Sequence, residues 1–443
     1  MKNATILPKI LFSLDTIFIA HWLLVIDNRN KASSISPTAL EILNRHQPAT
    51  EKTTDLVDRF ASQIFAETNP QGMAIVVIDN DQIVTRYYGE TAPGARQKPG
   101  PNSLIRIASL TKLMTSEVMI KLEADKKLRI TDPLQNYSYF GTHIPIYHGK
   151  QPIRLYHLAS HTSGLPREQP GGKIGRPVFV WPTQSNRWTW LKKAKIKCLP
   201  GTKAAYSNLA YDLLADALAK AAGKSYKQLF AEKITLPAEM YDTTFTPTTN
   251  QCSRLMVGYK SSPCISTLSA AGSGGVYSTP ADMQRWMQQF LSTNTQVSKQ
   301  TAQREQAIYF ARDMLTDIKG MDVAGHADGI GLGWVYMNPH DGIPGIYQKT
   351  GGGGGFNTYM TMIPQQRIGI FAVISRKKVS KFSGLTEVVN DLTAALTINH
   401  NNNPFQPTKQ DFAANLVKKL LESPDAWLSQ IIRNKFFISM VVH

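Results

Sequence analysis

The sequence predicts an α/β (α+β) domain in which one antiparallel sheet is built from both chain ends and a helical lobe is inserted between them. Three observations predict this. Apolar, β-rich runs occur early, at 73–78 and 83–88. Three more occur late, at 346–350, 357–363 and 368–375. The stretch between, about 132–345, shows helical periodicity and long loops.

The chain opens on Lys2 and Lys9 ahead of a mostly apolar run, 10–26, interrupted by Asp15 and His21. No A-x-A cleavage site follows. Residues 1–31 therefore resemble a degraded signal peptide or an uncleaved export anchor, with a buried amphipathic helix as the alternative. Residues 32–55 are polar and read as a linker. The first two strands meet at Asp79-Asn80-Asp81, a turn-forming triplet. A Gly- and Pro-containing loop, 89–101, leads to a helix that starts near Ser109. Leu110, Leu113, Met114, Met119, Ile120 and Leu122 form its apolar face.

A strong helix is expected over 208–222, with Leu209, Leu213, Leu214, Ala217 and Leu218 on one face. Ser278-Thr279-Pro280 reads as a cap followed by proline in the first turn of a helix ending at Leu291. Pro364-Gln365-Gln366 turns the last strand back on its neighbour. The main domain is drawn as 56–398. Beyond it, 399–443 begins linker-like and continues with the apolar faces of 412–421 and of Trp427, Leu428, Ile431, Ile432, Phe436 and Phe437. This extension is either a helix pair packed on the body or a membrane-surface anchor making a peripheral membrane contact.

The chain has 443 residues, 42% of them hydrophobic, which supports a sizeable core and excludes global disorder. Net charge is +17, and Arg187, Lys192, Lys193, Lys195 and Lys197 cluster without an acidic neighbour. That balance suits either a soluble basic protein or one that meets anionic surfaces. No zinc-finger spacing or RNP-type aromatic motif is present, so no nucleic acid partner is expected. Three cysteines are too few for a disulfide scaffold. Cys252 and Cys264 could form one bridge in an exported chain, or all three could be buried thiols.

The chemistry starts from Ser109-Leu110-Thr111-Lys112. Residues three apart share a helix face, so Lys112 lies where it can manage the Ser109 proton. The helix start adds N–H groups and a positive dipole end. S-x-x-K alone is weak: chance supplies it about once or twice in a chain of this size. Ser375-Arg376-Lys377-Lys378 repeats it at the end of a strand-like run. The company of Ser109 is what carries weight. Tyr206-Ser207-Asn208 starts the 208–222 helix, and Lys349-Thr350-Gly351 lies on a strand that runs into Gly352. That set in that order is specific; Tyr336-Met337-Asn338 repeats the second motif without the others.

Each residue type suits a role. Ser109 attacks an acyl carbon, and Lys112 and Tyr206 shuttle its proton; cations beside a phenol favour its phenolate form. Asn208 can hold Lys112 and a substrate amide. Lys349 and Thr350 can bind a substrate carboxylate. Gly351 and Gly352 let a substrate lie close to the strand as an added edge. The N–H groups of Ser109 and Gly352 would form an oxyanion hole.

These three motifs resemble those of the serine β-lactamase and penicillin-binding-protein superfamily, which implies a β-lactamase/transpeptidase-like fold. The Y-x-N form and Leu158-Ala159-Ser160-His161-Thr162-Ser163-Gly164-Leu165-Pro166 resemble its class C branch. The longer runs 106–117, 166–172, 177–183 and 348–356 are similar to AmpH-type D-alanyl-D-alanine carboxypeptidase/endopeptidases, and the similarity covers roughly 55–395. The resemblance implies a periplasmic, cofactor-free enzyme acting on peptidoglycan stem peptides. β-Lactams would be covalent acylating ligands, hydrolysed slowly. A class C-like β-lactamase or an esterase on the same scaffold shares every motif residue. A non-catalytic wall-binding protein would need none of them.

Overall fold

Eight strands form one antiparallel sheet in the computed structural model, which describes residues 51–401 apart from 173, 292–295 and 341–343. The segment 1–31, most of the linker and the extension beyond Asn401 lie outside the described residues. The strands are β1 (Gly72–Asp79), β2 (Gln82–Gly89), β3 (Phe310–Ala311), β4 (Gly329–Ile330), β5 (Val335–Met337), β6 (Ile346–Gly353), β7 (Phe356–Ile363) and β8 (Ile368–Ser375). Their spatial order is β2-β1-β8-β7-β6-β5-β4-β3. The two chain ends meet where β1 pairs with β8, Met73 opposite Ile374 and Val77 opposite Ile370. The five expected strands are present. The short β3, β4 and β5 extend the sheet from within the middle region, where two- and three-residue strands leave no readable alternation.

β1 is buried along its whole length, and alternation explains how. Met73, Ile75 and Val77 face one side, packing with Ile370, Ala372 and Ile374 of β8. Ala74, Val76 and Ile78 face the other side, toward the helical lobe. A strand covered on both faces reads as a continuous apolar run.

The first side is covered by α1 (Thr53–Thr68) and α6 (Ser383–Asn401), neither of them among the elements expected from sequence. α1 presents Leu56, Val57, Phe60 and Ile64 to the sheet, and α6 presents Leu385, Val389, Leu392 and Leu396. Both therefore place apolar residues at helical spacing. The expected linker thus ends before Thr53. At the far end, Asn399 and His400 are the last turn of α6, not the start of a linker. The Asn399 amide donates to the Glu51 carbonyl at 2.9 Å, and His400 contacts the Asp79 carboxylate.

The other side carries the helical lobe: α2 (Thr111–Ala124), α3 (Gln184–Leu191), α4 (Asn208–Ala222) and α5 (Pro280–Leu291). α4 has the expected bounds. Its Ser207 cap accepts the Ala210 N–H at 3.0 Å, and Gly223 ends it at φ 66°. Thr279 accepts the Asp282 N–H at 3.1 Å, as the cap expected before Pro280. α2 is buried nearly all round, not on one face.

Arg187 leaves the expected basic patch. It is 3% exposed and forms a bidentate pair with Asp216 of α4, both bonds at 2.6 Å. Trp188 donates to the same carboxylate at 2.7 Å. This buried, fully satisfied pair fastens α3 to α4. Lys192, Lys193, Lys195 and Lys197 stay exposed.

Candidate active site

Ser109 sits in a 3-10 turn, Ala108–Leu110, directly before α2 begins at Thr111. Ala108 precedes it at φ 48°, a left-handed conformation that residues other than glycine adopt uncommonly. The adjoining Ile105–Arg106 pairs with Tyr277–Ser278, which brings the 273–278 segment alongside. Tyr206 is placed by a second small pairing: Ala204–Ala205 runs parallel to Ile318–Lys319, and the Tyr206 N–H donates to the Lys319 carbonyl at 3.0 Å.

These elements converge on the Ser109 hydroxyl. The Tyr206 OH donates to Ser109 Oγ at 2.6 Å. Lys112 Nζ lies 3.3 Å from the same oxygen, 2.7 Å from Asn208 Oδ1 and 2.5 Å from the Ser273 carbonyl. Asn208 donates through Nδ2 to Glu168 at 2.6 Å, so its amide orientation is set from both sides. Lys349, on β6, points its Nζ over the Tyr206 ring at 5.2 Å; Lys112 Nζ lies 4.8 Å from that ring. Thr350, half-buried, follows Lys349 on the strand.

Burial governs the charges. Lys112 is fully buried, and loss of hydration pushes its pKa down to about 7, although Asp212 and Glu168 nearby favour its charge. Lys349 is lowered to about 8, chiefly by burial. His161 packs against Tyr206, ring centroids 4.5 Å apart, and its Nδ1 accepts the Ser207 N–H at 3.1 Å. Burial, with Lys349, Lys112 and Arg167 nearby, holds its pKa well below the usual histidine range, so the imidazole is neutral.

The two glycines differ. A Cβ on Gly351 would fall 2.2 Å from Thr358 Oγ1 and 3.1 Å from Ser109 N. Glycine there lets β6 cross against the Ser109 turn. A Cβ on Gly352 would meet nothing nearer than Asn357 Oδ1 at 3.4 Å, so space remains beside it. β5 pairs with β6 only over Ile346, Tyr347 and Gln348. From Lys349 onward, no strand among the described residues pairs with the β6 edge opposite β7.

The structure brings together Ser109, Lys112, Tyr206, Asn208, Lys349 and the Gly351–Gly352 edge. It separates the two repeats of the short motifs: Ser375 is buried at the end of β8, and Tyr336 lies on β5. Cys252 and Cys264 are joined by a disulfide, Cα atoms 5.8 Å apart, and Cys198 is the remaining thiol.

Two further residues complete the support of Lys112. Asp212, on α4 one turn after Asn208, accepts the Ser273 N–H and the Ser273 hydroxyl, both at 3.0 Å. It thereby fixes the carbonyl that receives Lys112. Burial raises its own carboxyl. Asp212 lies off the apolar face of 208–222 and is buried because the helix is enclosed nearly all round, so neither it nor Ser273 is marked locally in sequence.

Comparison with known proteins gives the family and the fold. A family model described as Beta-lactamase matches residues 57–394. The chain is 54% identical over 364 residues to the D-alanyl-D-alanine-carboxypeptidase/endopeptidase AmpH of Escherichia coli (strain K12), spanning 82% of this chain and 94% of that one. A β-lactamase/D-alanine carboxypeptidase from Yersinia pestis, crystallised with citrate, matches with TM-score 0.76 and 59% identity, over 78% of this chain and 98% of that one. A class C β-lactamase from Rhodobacter sphaeroides shares the fold at TM-score 0.63 and 17% identity, over 77% of this chain and 99% of that one. With Ser109, Tyr206 and Lys349 gathered at one edge of this sheet, the chain belongs to the beta-lactamase family.

Proposed function

We propose that the chain is a serine D,D-peptidase that acts on peptidoglycan stem peptides as a D-alanyl-D-alanine carboxypeptidase/endopeptidase. The observation that carries this reading is the placement of Ser109 Oγ between Tyr206 Oη at 2.6 Å and Lys112 Nζ at 3.3 Å. The 54% identity to AmpH supports the substrate class.

In acylation, neutral Lys112 takes the Ser109 proton as Oγ bonds to the D-Ala carbonyl carbon. The N–H groups of Ser109 and Gly352 hold the developing oxyanion. Tyr206 gives its proton to the leaving amine as the peptide bond breaks. The resulting phenolate is stabilised by the Lys112 and Lys349 cations over its ring. In deacylation, water attacks the ester carbonyl and returns a proton to Tyr206. Ser109 Oγ leaves and recovers its proton from Lys112. Lys349 and Thr350 hold the terminal carboxylate, and Asn208 the acyl amide. β-Lactams, with the same acyl chemistry, label Ser109.

The substrate requires the periplasm, and the Cys252–Cys264 disulfide suits that oxidising compartment. Among the described residues, no helix is long and apolar enough to cross a membrane.

Purified muropeptides and a chromogenic cephalosporin separate this reading from a class C-like β-lactamase. Release of D-Ala or of monomeric muropeptides, with little cephalosporin turnover, is the expected result. Inert muropeptides with fast cephalosporin turnover would sink it.

The pH dependence follows from the two lysines. Catalysis needs Lys112 neutral, so kcat/KM rises as pH passes about 7. Carboxylate binding needs Lys349 charged, so kcat/KM falls above about 8. Because Lys349 also faces the Tyr206 ring, a substrate without a terminal carboxylate is expected to show a smaller alkaline fall. A fall of undiminished size would remove Lys349 from carboxylate binding.

A further inference from the structure

We infer that Phe179 forms the wall of the subsite for the residue preceding the acylated D-Ala, and selects the long diamino acid at that position of the stem peptide. This inference rests on the peptidase reading.

The direction of the bound peptide follows from residues already placed. Lys349 takes the terminal carboxylate, and Ser109 N lies 3.1 Å from a Cβ built on Gly351. A substrate added to the open β6 edge therefore runs its N-terminal part toward Gly352, Gly353 and Gly354. At about 3.3 Å of rise per residue, Gly353 lies about 7 Å beyond Gly351, two residues along the strand.

Phe179 stands at that point. A Cβ built on Gly353 would fall 2.8 Å from its Cζ, and one on Gly354 would fall 3.4 Å from its Cε2. On the 273–278 segment, a Cβ on Gly274 would fall 2.7 Å from its Cε1. Gly274 follows Ser273, whose carbonyl receives Lys112. Phe179 thus touches both the strand and the segment that holds Lys112, and glycines on each make room for its ring.

The backbone is committed to this placement. Phe179 has φ 71°, a conformation unfavourable for a bulky residue and often found where function requires it. The chain just after it is tied down: Arg187 Nη1 donates to the Pro182 carbonyl at 3.1 Å, and Arg187 is itself fixed by Asp216. Phe179 as a residue is half-buried, not enclosed in the core.

An uncharged aromatic wall suits the aliphatic stem of a diamino acid, whose polar end can reach water while its methylenes cover the ring. A short side chain at that position leaves the wall uncovered. This makes Phe179 a specificity residue, distinct from the groups that move protons.

Two pentapeptides test it, identical except that the third residue is diaminopimelate in one and alanine in the other. kcat/KM is measured on both for the wild type, Phe179→Ala and Phe179→Gly, with fluorescent penicillin labelling reporting folded sites. Glycine adopts φ 71° without penalty, so Phe179→Gly decides the matter if Phe179→Ala does not fold. The wild type is expected to prefer the diaminopimelate peptide, and the variants to lose about tenfold of that preference. An unchanged ratio in a labelled variant, or no preference in an active wild type, would overturn the Phe179 assignment alone. A wild type inert toward both peptides would overturn the peptidase reading, and this inference with it.

Discussion

Ser109→Ala is expected to abolish covalent labelling by fluorescent penicillin and to lower peptide hydrolysis by about 10,000-fold or more. The hydroxyl is the point where the Tyr206 and Lys112 contacts meet, at 2.6 and 3.3 Å. Without it no acyl-enzyme forms, and the remaining groups bind substrate without a covalent route. The substitution removes one oxygen from a half-buried site, so the fold should be retained. Thermal unfolding close to that of the wild type would show this. Labelling that persists in Ser109→Ala would move the nucleophile to another residue.

Tyr206→Phe carries the second-largest expected effect. It deletes the 2.6 Å contact with Ser109 but keeps the ring that packs on His161 and lies beneath Lys349. Loss of one positioned proton donor lowers the rate by about 100- to 10,000-fold, a barrier increase of about 3–5 kcal/mol. The loss should fall on kcat, because the carboxylate site at Lys349 and Thr350 is untouched. Single-turnover kinetics with a peptide substrate would check it. A change in KM alone would assign Tyr206 to binding instead of proton transfer.

The elements legible in sequence are those whose own residues state their environment. β1, β6, β7, β8 and α4 carry apolar runs or periodic faces, and each was expected within a few residues of where it lies. The short β3, β4 and β5 were not, because a strand of two or three residues forms only when a neighbouring strand supplies the ladder. α1 and α6 were legible and unassigned; their spacing of Leu56, Phe60 and Ile64, or of Leu385, Val389 and Leu392, is helical. Arg187 shows the opposite error. Its lysine-rich surroundings suggest a solvated patch, yet Asp216, 29 residues away, draws it into the core.

The catalytic set divides the same way. Sequence alone marked Ser109, Lys112 and the K-T-G strand as candidates, because helical spacing and strand periodicity are local properties. It also marked Tyr206 and Asn208 through a helix start. Tertiary structure decided what those groups are chemically. Lys112 is driven toward neutrality because it is enclosed, and its partners Asn208 and Ser273 arrive from 96 and 161 residues away. Asp212 beneath Ser273 and Phe179 between Gly274 and Gly353 depend on the same long-range packing. Dehydration and charge pairing act through space, so a pattern along the chain names the candidate groups while the folded enclosure sets their protonation.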